Sequence, residues 1–431
     1  MPPTPIQRRI LGVALHEMSI DRQAAVLTAV SRYGTPLFIY FEEDFLKQRS
    51  MLLELLPAAS KLIFSVKANP NPDIIRFFYD SGMDLELASG GELDVAICAG
   101  CSSNRAIFVG PAKTDAELKQ AINAGLQAIV VESLGEFARL NALPKDKNKV
   151  RILLRLDIGK FQHGTLRKAG DSPFGMSVWD AKSLLAERTS FNGIVIDGIH
   201  SHSGTQQFVP TDLTAQVQLV LETASTLQRD TGARFNFIDL GGGFAWPTRK
   251  GDPEPDWTGL AASLSHSIER YRADHPWTKT IAFESGRFLT APGGIFVSEV
   301  QDVKAGELST FVLTDGGISN FGFDDRYYGA RAPVLGLIPT NDRPLSTVTI
   351  CGPLCTPADR QAAKISLPMP QRGDLVCVFN AGAYGLTQNP GLFLGRGYAA
   401  EVMVADGQIR NIRHRFTAAD FTRATCFVPL K

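Results

Sequence analysis

Lys67 is the residue whose type and position most directly indicate chemistry. It follows the apolar run Leu62-Ile63-Phe64, which is typical of a buried strand, and residues 69–72 (Asn-Pro-Asn-Pro) then break the chain into a loop or a helix start. Burial at such a strand end lowers the pKa of an amine and frees its lone pair. The pattern indicates a nucleophilic amine, and the alternative is a lysine that extends its charge from a strand terminus into water.

Polar or glycine residues also follow the other apolar runs of the first 290 residues. In a barrel of parallel strands, the active site forms where the strands end at their carboxyl side. The alternative is that strand ends are polar because they meet water. The residues in question are Glu86, Ser89, Gly110, Glu132, Arg155, Asp157, His200, His202, Gly241, Gly242, Gly243, Glu284 and Arg287.

Two of these positions are typical of cofactor binding. Gly241-Gly242-Gly243 follows the seventh run, where the backbone N–H groups of glycines can approach an anion and where barrels commonly bind phosphate. Glu284 and Arg287 follow the eighth run, where a carboxylate suits a protonated ring nitrogen and an arginine suits a phosphate or a substrate carboxylate. A flexible turn and a structural Glu–Arg pair are the respective alternatives.

His200 and His202 are two residues apart on a strand and therefore point to the same side. They suit either metal ligation or an imidazole that stacks on an aromatic cofactor, and a buried, hydrogen-bonded histidine is the alternative. The sequence offers no obvious neighbouring carboxylate that would complete a metal triad. Cys98 and Cys101 form a CxxC without the second ligand pair that zinc usually needs. We therefore predict no metal.

The elements that position these residues follow a regular alternation. Most of the strand-like runs are separated by stretches of helical periodicity, and this order predicts a parallel sheet. Eight such units over about 230 residues suit a closed (β/α)8 TIM barrel, which typically has ~250 residues. An open doubly wound sheet is the alternative, although the GxGxxG typical of that fold is missing after the first strand. The runs are 62–66, 84–88, 106–110, 128–132, 151–156, 194–201, 235–240 and 280–284.

Past residue 290 the pattern changes to short strand candidates separated by Gly, Pro and Asp turns, which predicts a mostly antiparallel β domain. The candidates are 297–303, 308–313, 347–351, 375–379 and 400–404. We predict three segments: an N-terminal segment 1–35 that joins the β domain, a barrel 36–288 and a C-terminal β domain 289–431.

Composition excludes several classes of protein. Of 431 residues, 44% are hydrophobic and 20% are charged, which is typical of a globular enzyme. Lys+Arg and Asp+Glu number 44 each, so the zero net charge gives no sign of a nucleic-acid or membrane partner. Six cysteines in so long a chain do not form a disulfide scaffold, and no secretory signal is visible at the start. We expect a cytoplasmic protein with reduced thiols.

The motifs in combination resemble the fold-type III pyridoxal-phosphate decarboxylases, the diaminopimelate and ornithine/arginine decarboxylase family, over nearly the whole chain and in the same order. The segments that carry the resemblance are Val66-Lys67-Ala68-Asn69, Ser89-Gly90-Gly91-Glu92-Leu93, residues 198–206, Gly241-Gly242-Gly243-Phe244, Glu284-Ser285-Gly286-Arg287, Gly352-Pro353-Leu354-Cys355 and Gly382-Ala383-Tyr384-Gly385.

The resemblance implies pyridoxal 5'-phosphate as cofactor and a homodimer with shared active sites. It implies that Lys67 is the Schiff-base lysine, that His202 stacks on the ring and that Glu284 pairs with the pyridinium nitrogen. Cys355 of the partner subunit would donate the proton that follows decarboxylation. The implied cofactor contacts also include Thr205, Gly241, Gly242, Gly243, Gly286, Arg287 and Tyr384, and the implied substrate contacts are Arg287, Thr356, Asp359 and Tyr384.

The substrate-reading positions depart from the family pattern. Thr356 follows Cys355 where diaminopimelate and ornithine decarboxylases carry an acid that binds the substrate's distal amine, and Phe323 lies near an expected arginine. Gly-Pro-Leu-Cys-Thr-Pro resembles the subgroup that acts on conjugated or carrier-linked amino acids. We therefore expect decarboxylation of an amino acid or conjugate, with a carrier protein as a candidate partner and with free diaminopimelate, ornithine and lysine as poor substrates.

Three alternatives stay open at this point. Asp359 can take over the amine-binding role, which would restore diaminopimelate decarboxylase proper. A racemase with the same cofactor is disfavoured, because a related racemase barrel would place an arginine where this chain has Glu284. A non-enzymatic, inhibitor-binding relative is disfavoured because Lys67, Glu284 and Cys355 are all retained.

Overall fold

The computed structural model describes residues 18–145, 149–158, 172–202, 204–321, 332–339 and 343–423. The chain divides into two compact units. One contains residues 49–246 and 255–288, and the other contains residues 1–48, 247–254 and 289–431. The first is a barrel and the second is built on a β-sheet. Among the described helices, none combines the length and the apolar character that crossing a membrane requires.

The barrel consists of eight parallel strands that close on themselves, with each strand paired to the next and β9 paired to β2. This confirms the predicted (β/α)8 barrel, and the open-sheet alternative is wrong. The strands are β2 (Lys61–Ser65), β3 (Asp84–Leu87), β4 (Ala106–Phe108), β5 (Ala128–Val131), β6 (Val150–Arg155), β7 (Ile194–His200), β8 (Phe237–Asp239) and β9 (Thr280–Ser285).

Five of the described barrel helices begin at a side chain that caps one of their first N–H groups. Asn71 accepts from the N–H of Asp73 with Pro72 at the first helical position, which explains why the chain turns into a helix soon after Lys67. The helices are α2 (Glu42–Leu55), which spans the division between the units, α3 (Pro72–Asp80), α4 (Gly90–Cys98), α5 (Asp115–Ala124), α6 (Leu134–Ala142), α7 (Val178–Ala186), α8 (Pro210–Thr231), α9 (Leu260–Asp274) and the short α10 (Arg287–Thr290).

Buried apolar residues in and next to the strands around the barrel form its core. The cluster comprises Ile63, Ile107, Val109, Ala128, Val130, Leu153, Phe237 and Ala282. Strands that are buried on both faces read as continuous apolar runs rather than as an alternation, which is why the strand-like runs of the sequence coincide closely with β2 to β9.

The β domain contains a nine-stranded sheet whose main path runs β14-β13-β11-β10-β1-β16-β17, with β15 and β12 beside it. Most neighbours are antiparallel, as predicted, and the pairs β1–β16 and β11–β13 are parallel. The strands are β1 (Leu37–Phe41), β10 (Gly294–Lys304), β11 (Thr310–Thr314), β12 (Leu335–Ile338), β13 (Leu345–Cys351), β14 (Arg360–Pro368), β15 (Leu375–Val378), β16 (Ala400–Ala405) and β17 (Gln408–Arg413). The described helices α1 (Ile20–Tyr33) and α11 (Ala418–Arg423) flank it in sequence.

The structure differs from the sequence-based domain assignment at residues 36–48 and 247–254, which belong to the unit with the β-sheet. The sequence assigns residues 37–41 to the barrel segment, whereas β1 pairs with β10 and β16 of the β domain. All five residues of β1 are buried, so their apolar pattern does not reveal which sheet they join. Strands β12, β14 and β17 were not predicted, and β14 and β17 mix polar with apolar residues.

Candidate active site

Lys67 lies in a single helical turn, Val66–Ala68, directly after β2. Its Nζ donates to Oε1 of Glu86, which belongs to the neighbouring strand β3. The Lys67 side chain is 39% exposed, whereas that of Glu86 is 1% exposed. The amine is therefore accessible to a small molecule and held beside a buried carboxylate.

Gly286 brings the end of β9 close to this turn. A Cβ at Gly286 would lie 2.7 Å from Cβ of Ala68 and 3.2 Å from Cβ of Ser65, so a larger residue would push the lysine turn away. Arg287 follows as the first residue of α10 and is buried. Thr205 lies half-buried in the loop after β7.

The three glycines after β8 pack tightly against neighbouring backbone. Gly242 has an ordinary φ, but a Cβ there would lie 2.5 Å from the carbonyl oxygen of Glu284. The N–H of Gly241 donates to Oδ1 of Asp239 (2.9 Å), and the N–H of Gly242 donates to Nδ1 of His202 (3.3 Å). Two of the three N–H groups expected to face an anion are therefore already bonded within the protein, and Gly243 is the glycine whose N–H has no acceptor among the described residues.

Glu284 is 2% exposed near the end of β9 and contacts both histidines. Its Oε1 lies 3.1 Å from Nε2 of His200, and its Oε2 lies 3.9 Å from Nδ1 of His202. His200 is fully buried, whereas 28% of the His202 side chain is exposed. His202 accepts a hydrogen bond at Nδ1, and burial together with the nearby Lys67 ammonium holds its pKa below the usual range, so its ring is neutral.

The sequence offered no obvious carboxylate beside His200, and the structure shows that this expectation is wrong. Ligand atoms of His200, Asp239 and Glu284 all lie within 4.8 Å of one another, because the ends of β7, β8 and β9 are adjacent. The Lys67 and Arg155 cations both act on Glu284 and oppose a further cation there. We therefore assign no metal to this cluster.

Sequence reasoning gave no role to a second group of charged side chains at the same end of the barrel. Arg155 Nη1 donates to Oε1 of the buried Glu132 (2.8 Å), and Lys113 donates to Oε1 of Glu136 (2.7 Å). Glu136 also accepts from the N–H of Glu132 (3.2 Å), so the two ion pairs are linked. Position at a strand end signals Glu132 and Arg155, whereas nothing in the sequence signals the buried Lys113.

The remaining candidate residues belong to the β domain. Cys355 is exposed and Thr356 is half-buried in the loop between β13 and β14, and Tyr384 is half-buried with φ +56°. Asp359 is 2% exposed, and its two oxygens accept from the N–H groups of Ile318 (2.8 Å) and Leu354 (2.7 Å). Phe323 lies outside the described residues.

Comparison with known proteins identifies the family of the chain. The family model described as the pyridoxal binding domain of pyridoxal-dependent decarboxylases matches residues 42–291, more than half of the chain. The chain belongs to the pyridoxal-dependent decarboxylase family.

Individual relatives of this decarboxylase align over almost their whole lengths. It is 32% identical to L-glutamyl-[BtrI acyl-carrier protein] decarboxylase of Niallia circulans, over 94% of this chain and 96% of that one. It is 28% identical to the diaminopimelate decarboxylase of Zymomonas mobilis, over 91% and 93%. The crystal structure of the Helicobacter pylori diaminopimelate decarboxylase has the same fold, with a TM-score of 0.81 at 22% identity over 93% and 98%.

The residues of this decarboxylase fit the family's cofactor, pyridoxal 5'-phosphate, which has an aldehyde, a pyridine nitrogen and a phosphate. Lys67 offers an accessible amine for the aldehyde, and Glu284 offers a buried carboxylate for the ring nitrogen. Gly242 leaves no space for a side chain beside the backbone of Glu284, which keeps the two strand ends close together. The enzyme is a pyridoxal-phosphate-dependent amino-acid carboxy-lyase.

Proposed function

We propose that Lys67 attaches the cofactor, that Glu284 holds the proton on its ring nitrogen and that His202 lies against the ring. Support comes from one cluster at the carboxyl ends of β2, β7 and β9, in which both histidines contact Glu284. The remaining cofactor contacts are proposed on the family resemblance and comprise Thr205, Gly241, Gly242, Gly243, Gly286, Arg287 and Tyr384. Because Gly241 and Gly242 already donate within the protein, Gly243 is the glycine N–H that we assign to the phosphate.

Pyridoxal phosphate, when bound, supplies the electron sink that accepts the pair left by loss of CO2 from an α-amino acid. Glu284 favours this chemistry because a carboxylate beside the ring nitrogen raises that nitrogen's pKa and keeps its proton in place. Cys355 Sγ, from a partner subunit, delivers the proton that replaces CO2 on the substrate's α-carbon. A racemase would not release CO2, so measurement of CO2 distinguishes the two activities.

We propose that the substrate is an amino acid whose distal end carries no free ammonium group, such as an amino acid joined to a carrier protein. The geometry of Asp359 carries this proposal. Both of its oxygens hold backbone N–H groups, of Ile318 and Leu354, and so fix the loop that bears Cys355. Burial raises the pKa of the Asp359 carboxyl, which further reduces its value as a charged partner for a substrate amine.

Thr356 is then the side chain at the distal-amine position. Its hydroxyl accepts from the N–H of Ala358 (3.3 Å) and carries no charge. A neutral hydroxyl in place of an acid forgoes a charge-assisted hydrogen bond of about 1.5–3 kcal/mol. That difference corresponds to roughly one to two powers of ten in kcat/KM for a substrate with a distal ammonium group.

The Niallia circulans relative suggests glutamate as the amino acid, because its name describes action on an L-glutamyl acyl-carrier protein. Decarboxylation needs a free α-carboxylate, so a glutamyl group can be joined to a carrier only through its distal carboxyl. Such a substrate has a neutral distal end, in agreement with Thr356. Diaminopimelate decarboxylation is the second candidate, favoured by the similarity to the Zymomonas mobilis enzyme.

We further propose, on the family resemblance, a homodimer with shared active sites. The cytoplasmic location expected from the cysteine usage stays a prediction.

Measurement of CO2 release from a panel of amino acids tests the substrate proposal. The panel contains glutamate joined through its distal carboxyl to a short thiol or to a carrier protein, free glutamate, meso-diaminopimelate, ornithine and lysine. We expect the thioesters to be the best substrates. Turnover of free diaminopimelate or ornithine with kcat/KM above about 10⁴ M⁻¹s⁻¹, the low end of the usual enzyme range, would refute the proposal.

A variant pair isolates the role of residue 356. Thr356→Asp restores an acid at the distal-amine position and should raise kcat/KM for ornithine about tenfold or more while lowering it for the thioesters. Thr356→Ser keeps a neutral hydroxyl and serves as the control, with the wild-type preference. An unchanged preference in the aspartate variant would mean that residue 356 does not read the distal end.

Reduction with borohydride tests the assignment of Lys67. The purified protein should be yellow with bound cofactor, and peptide mapping after reduction should find the pyridoxyl group on Lys67. A pyridoxyl group on another lysine would contradict the assignment.

A further inference from the structure

Three buried side chains from adjacent strands meet behind the proposed cofactor position. His200 ends β7, Asp239 ends β8 and Glu284 lies near the end of β9, and each is at most 2% exposed. Nε2 of His200 lies 3.1 Å from Oε1 of Glu284. His202 lies on the other, more open side of Glu284, 3.9 Å from Oε2. The two oxygens of this carboxylate therefore face different surroundings.

Two atoms of this cluster lack a hydrogen-bond partner among the described residues. They are Nδ1 of His200 and Oδ2 of Asp239, both fully buried. Oδ1 of Asp239 accepts from the N–H of Gly241 (2.9 Å). A buried imidazolium would need an acceptor at each nitrogen, and only Nε2 of His200 has one. A neutral ring with its single proton on Nε2 has an unprotonated Nδ1, which has no hydrogen to donate. The lack of an acceptor at Nδ1 therefore agrees with this neutral form.

Charged groups from the ends of several barrel strands act on His200. Arg155 and Lys67 disfavour a proton on its ring, whereas Glu86 and Glu132 favour one. Burial is the largest effect and lowers the pKa of His200 to about 3. Burial and the adjacent Glu284 raise the pKa of the Asp239 carboxyl well above its usual range. These shifts favour the neutral forms of His200 and Asp239. Burial raises the pKa of Glu284 as well, whereas the nearby Lys67 and Arg155 cations lower it and so favour its charged form.

We propose that His200 is a positioning residue for Glu284: its neutral ring donates from Nε2 to Oε1, so that Oε2 faces His202 and the ring nitrogen of the cofactor. This proposal rests on the proposed cofactor role of Glu284 and extends it to a residue that does not touch the cofactor. A carboxylate fixed at one oxygen keeps its other oxygen in a single orientation, which favours the protonated ring nitrogen without reorganisation on binding. The raised pKa of Asp239 disfavours a second negative charge behind the ring.

Two amide variants of His200 distinguish the effect of the hydrogen bond donated from Nε2 from the effect of filling the same space with a polar side chain. The amide nitrogen of glutamine reaches the position of Nε2, whereas that of asparagine reaches only the position of Nδ1. His200→Gln therefore retains the donor to Glu284 and His200→Asn loses it, although both keep a buried amide. The first readout is the affinity of the cofactor-free protein for pyridoxal phosphate, and the second is the pH titration of the bound cofactor's visible absorbance.

We expect His200→Asn to weaken cofactor binding about tenfold, the effect of one charge-assisted hydrogen bond. The midpoint for loss of the ring-protonated absorbance should move about one pH unit lower, because the ring nitrogen loses part of its stabilising partner. His200→Gln should stay within about threefold of wild type in affinity, with an unchanged midpoint. Wild-type affinity and midpoint in a folded His200→Asn protein would overturn the proposal.

Nuclear magnetic resonance of the wild-type protein, labelled with ¹⁵N at histidine, gives a test whose readout comes from the wild-type ring itself. The expected spectrum has a His200 ring that is neutral and protonated at Nε2 between pH 6 and 9, with assignment from the spectrum of His200→Gln. An imidazolium, or a proton on Nδ1, would overturn the proposal.

Glu284→Gln distinguishes failure of this inference from failure of the proposed function. If the His200 variants behave as wild type while Glu284→Gln loses ring-protonated absorbance, His200 does not position Glu284 and the cofactor role of Glu284 stands. If Glu284→Gln also keeps wild-type absorbance and affinity, the proposed function of Glu284 itself is wrong.

Discussion

Position 242 requires a glycine because there is no room for a Cβ, and not because of its backbone conformation. Its φ is ordinary, but a Cβ would lie 2.5 Å from the carbonyl oxygen of Glu284, a distance at which the backbone must move. Gly241 and Gly243 differ in that each also has a positive φ, +68° and +110°. The consequence of a substitution at Gly242 should therefore be displacement of Glu284, the carboxylate proposed to contact the cofactor.

We predict that Gly242→Ala weakens pyridoxal-phosphate binding by about tenfold or more, since an overpacked buried site typically costs about 1–3 kcal/mol. The measurement is cofactor affinity by absorbance or fluorescence titration. Gly135→Ala is the matched control, because Gly135 lies in α6 with its nearest Cβ neighbour at 3.9 Å and an ordinary φ. The control should keep wild-type affinity and gain up to about 1 kcal/mol in stability, as alanine does in helices.

Protonation of Glu92 should make the free energy of unfolding depend on pH. It lies in the first turn of α4, half-buried, and accepts from the N–H of Ala88 (2.6 Å). Burial raises the pKa of this carboxyl from 4.5 to about 7, with a further increase from Glu86. The folded protein therefore keeps a proton that the unfolded chain releases near pH 4.5.

The free energy of unfolding should thus decrease as the pH rises from about 4.5 to 7 and then level off. The contribution of this group is at most roughly 3 kcal/mol, since one pKa unit corresponds to about 1.36 kcal/mol and water screens a half-buried carboxylate. Glu92→Gln keeps the acceptor for Ala88 without the ionisation. In urea unfolding at several pH values, the variant should become more stable relative to wild type as the pH rises. A difference in unfolding free energy between the two proteins that stays constant with pH would contradict the prediction.

At the scale of elements, a buried ion pair joins the loop before α5 to the start of α6. Lys113, 1% exposed, donates to Glu136 and to the carbonyl oxygens of Gly110 and Val130, each at 2.7 Å. Burial lowers the pKa of Lys113, so the three acceptors are what stabilise its charge. Glu136 in turn accepts from the N–H of Glu132 and so fixes the partner of Arg155 at the active-site end of the barrel.

We predict that Lys113→Met destabilises the protein by about 3–5 kcal/mol, because Glu136 stays buried without its cation. Adding Glu136→Met should recover a large part of this loss, since an apolar pair has no charge to compensate. Asp115→Asn breaks the exposed pair between Arg139 and Asp115, whose side chains are 41% and 59% exposed, and should change stability by less than about 1 kcal/mol. Denaturant unfolding measures the stability of all three variants. Equal losses of unfolding free energy on breaking the buried pair and the exposed pair would contradict the prediction.

At the scale of the whole molecule, Lys67 belongs to the barrel and Cys355 belongs to the β domain. The proposed homodimer combines the lysine of one subunit with the cysteine of the other. A heterodimer of two differently inactivated chains would then contain one site with both changes and one site with neither.

We predict that Lys67→Ala and Cys355→Ala proteins are each nearly inactive and recover activity when mixed and allowed to exchange subunits. Random exchange makes half of the dimers mixed, each with one intact site of two, so about a quarter of wild-type activity should return. Lys67→Ala mixed with Glu284→Gln is the control, because both residues lie in the same barrel and no intact site can form. Lack of recovery after proven exchange would exclude a shared site.

The sequence by itself determined the barrel and its strand positions and predicted the main cofactor residues, for physical reasons. Doubly buried strands read as continuous apolar runs, so the positions of β2 to β9 can be recognised from the order of residue types alone. The carboxyl ends of parallel strands share one edge, so Lys67, His202 and Glu284 could be grouped from their positions along the chain. The motif resemblance then supplied the cofactor and the reaction.

The tertiary structure decided the contacts between residues that are far apart in sequence. β1 has the same buried pattern as a barrel strand, and only its pairing with β10 and β16 assigns it to the β domain. Asp239 and His200 become neighbours of Glu284 only because their strands are adjacent in the closed barrel. The sequence left Asp359 open as an amine partner, whereas its hydrogen bonds to Ile318 and Leu354 identify a buried residue that holds a loop. Apolar periodicity records which residues are buried, but the partner of a buried charge is fixed by chain topology.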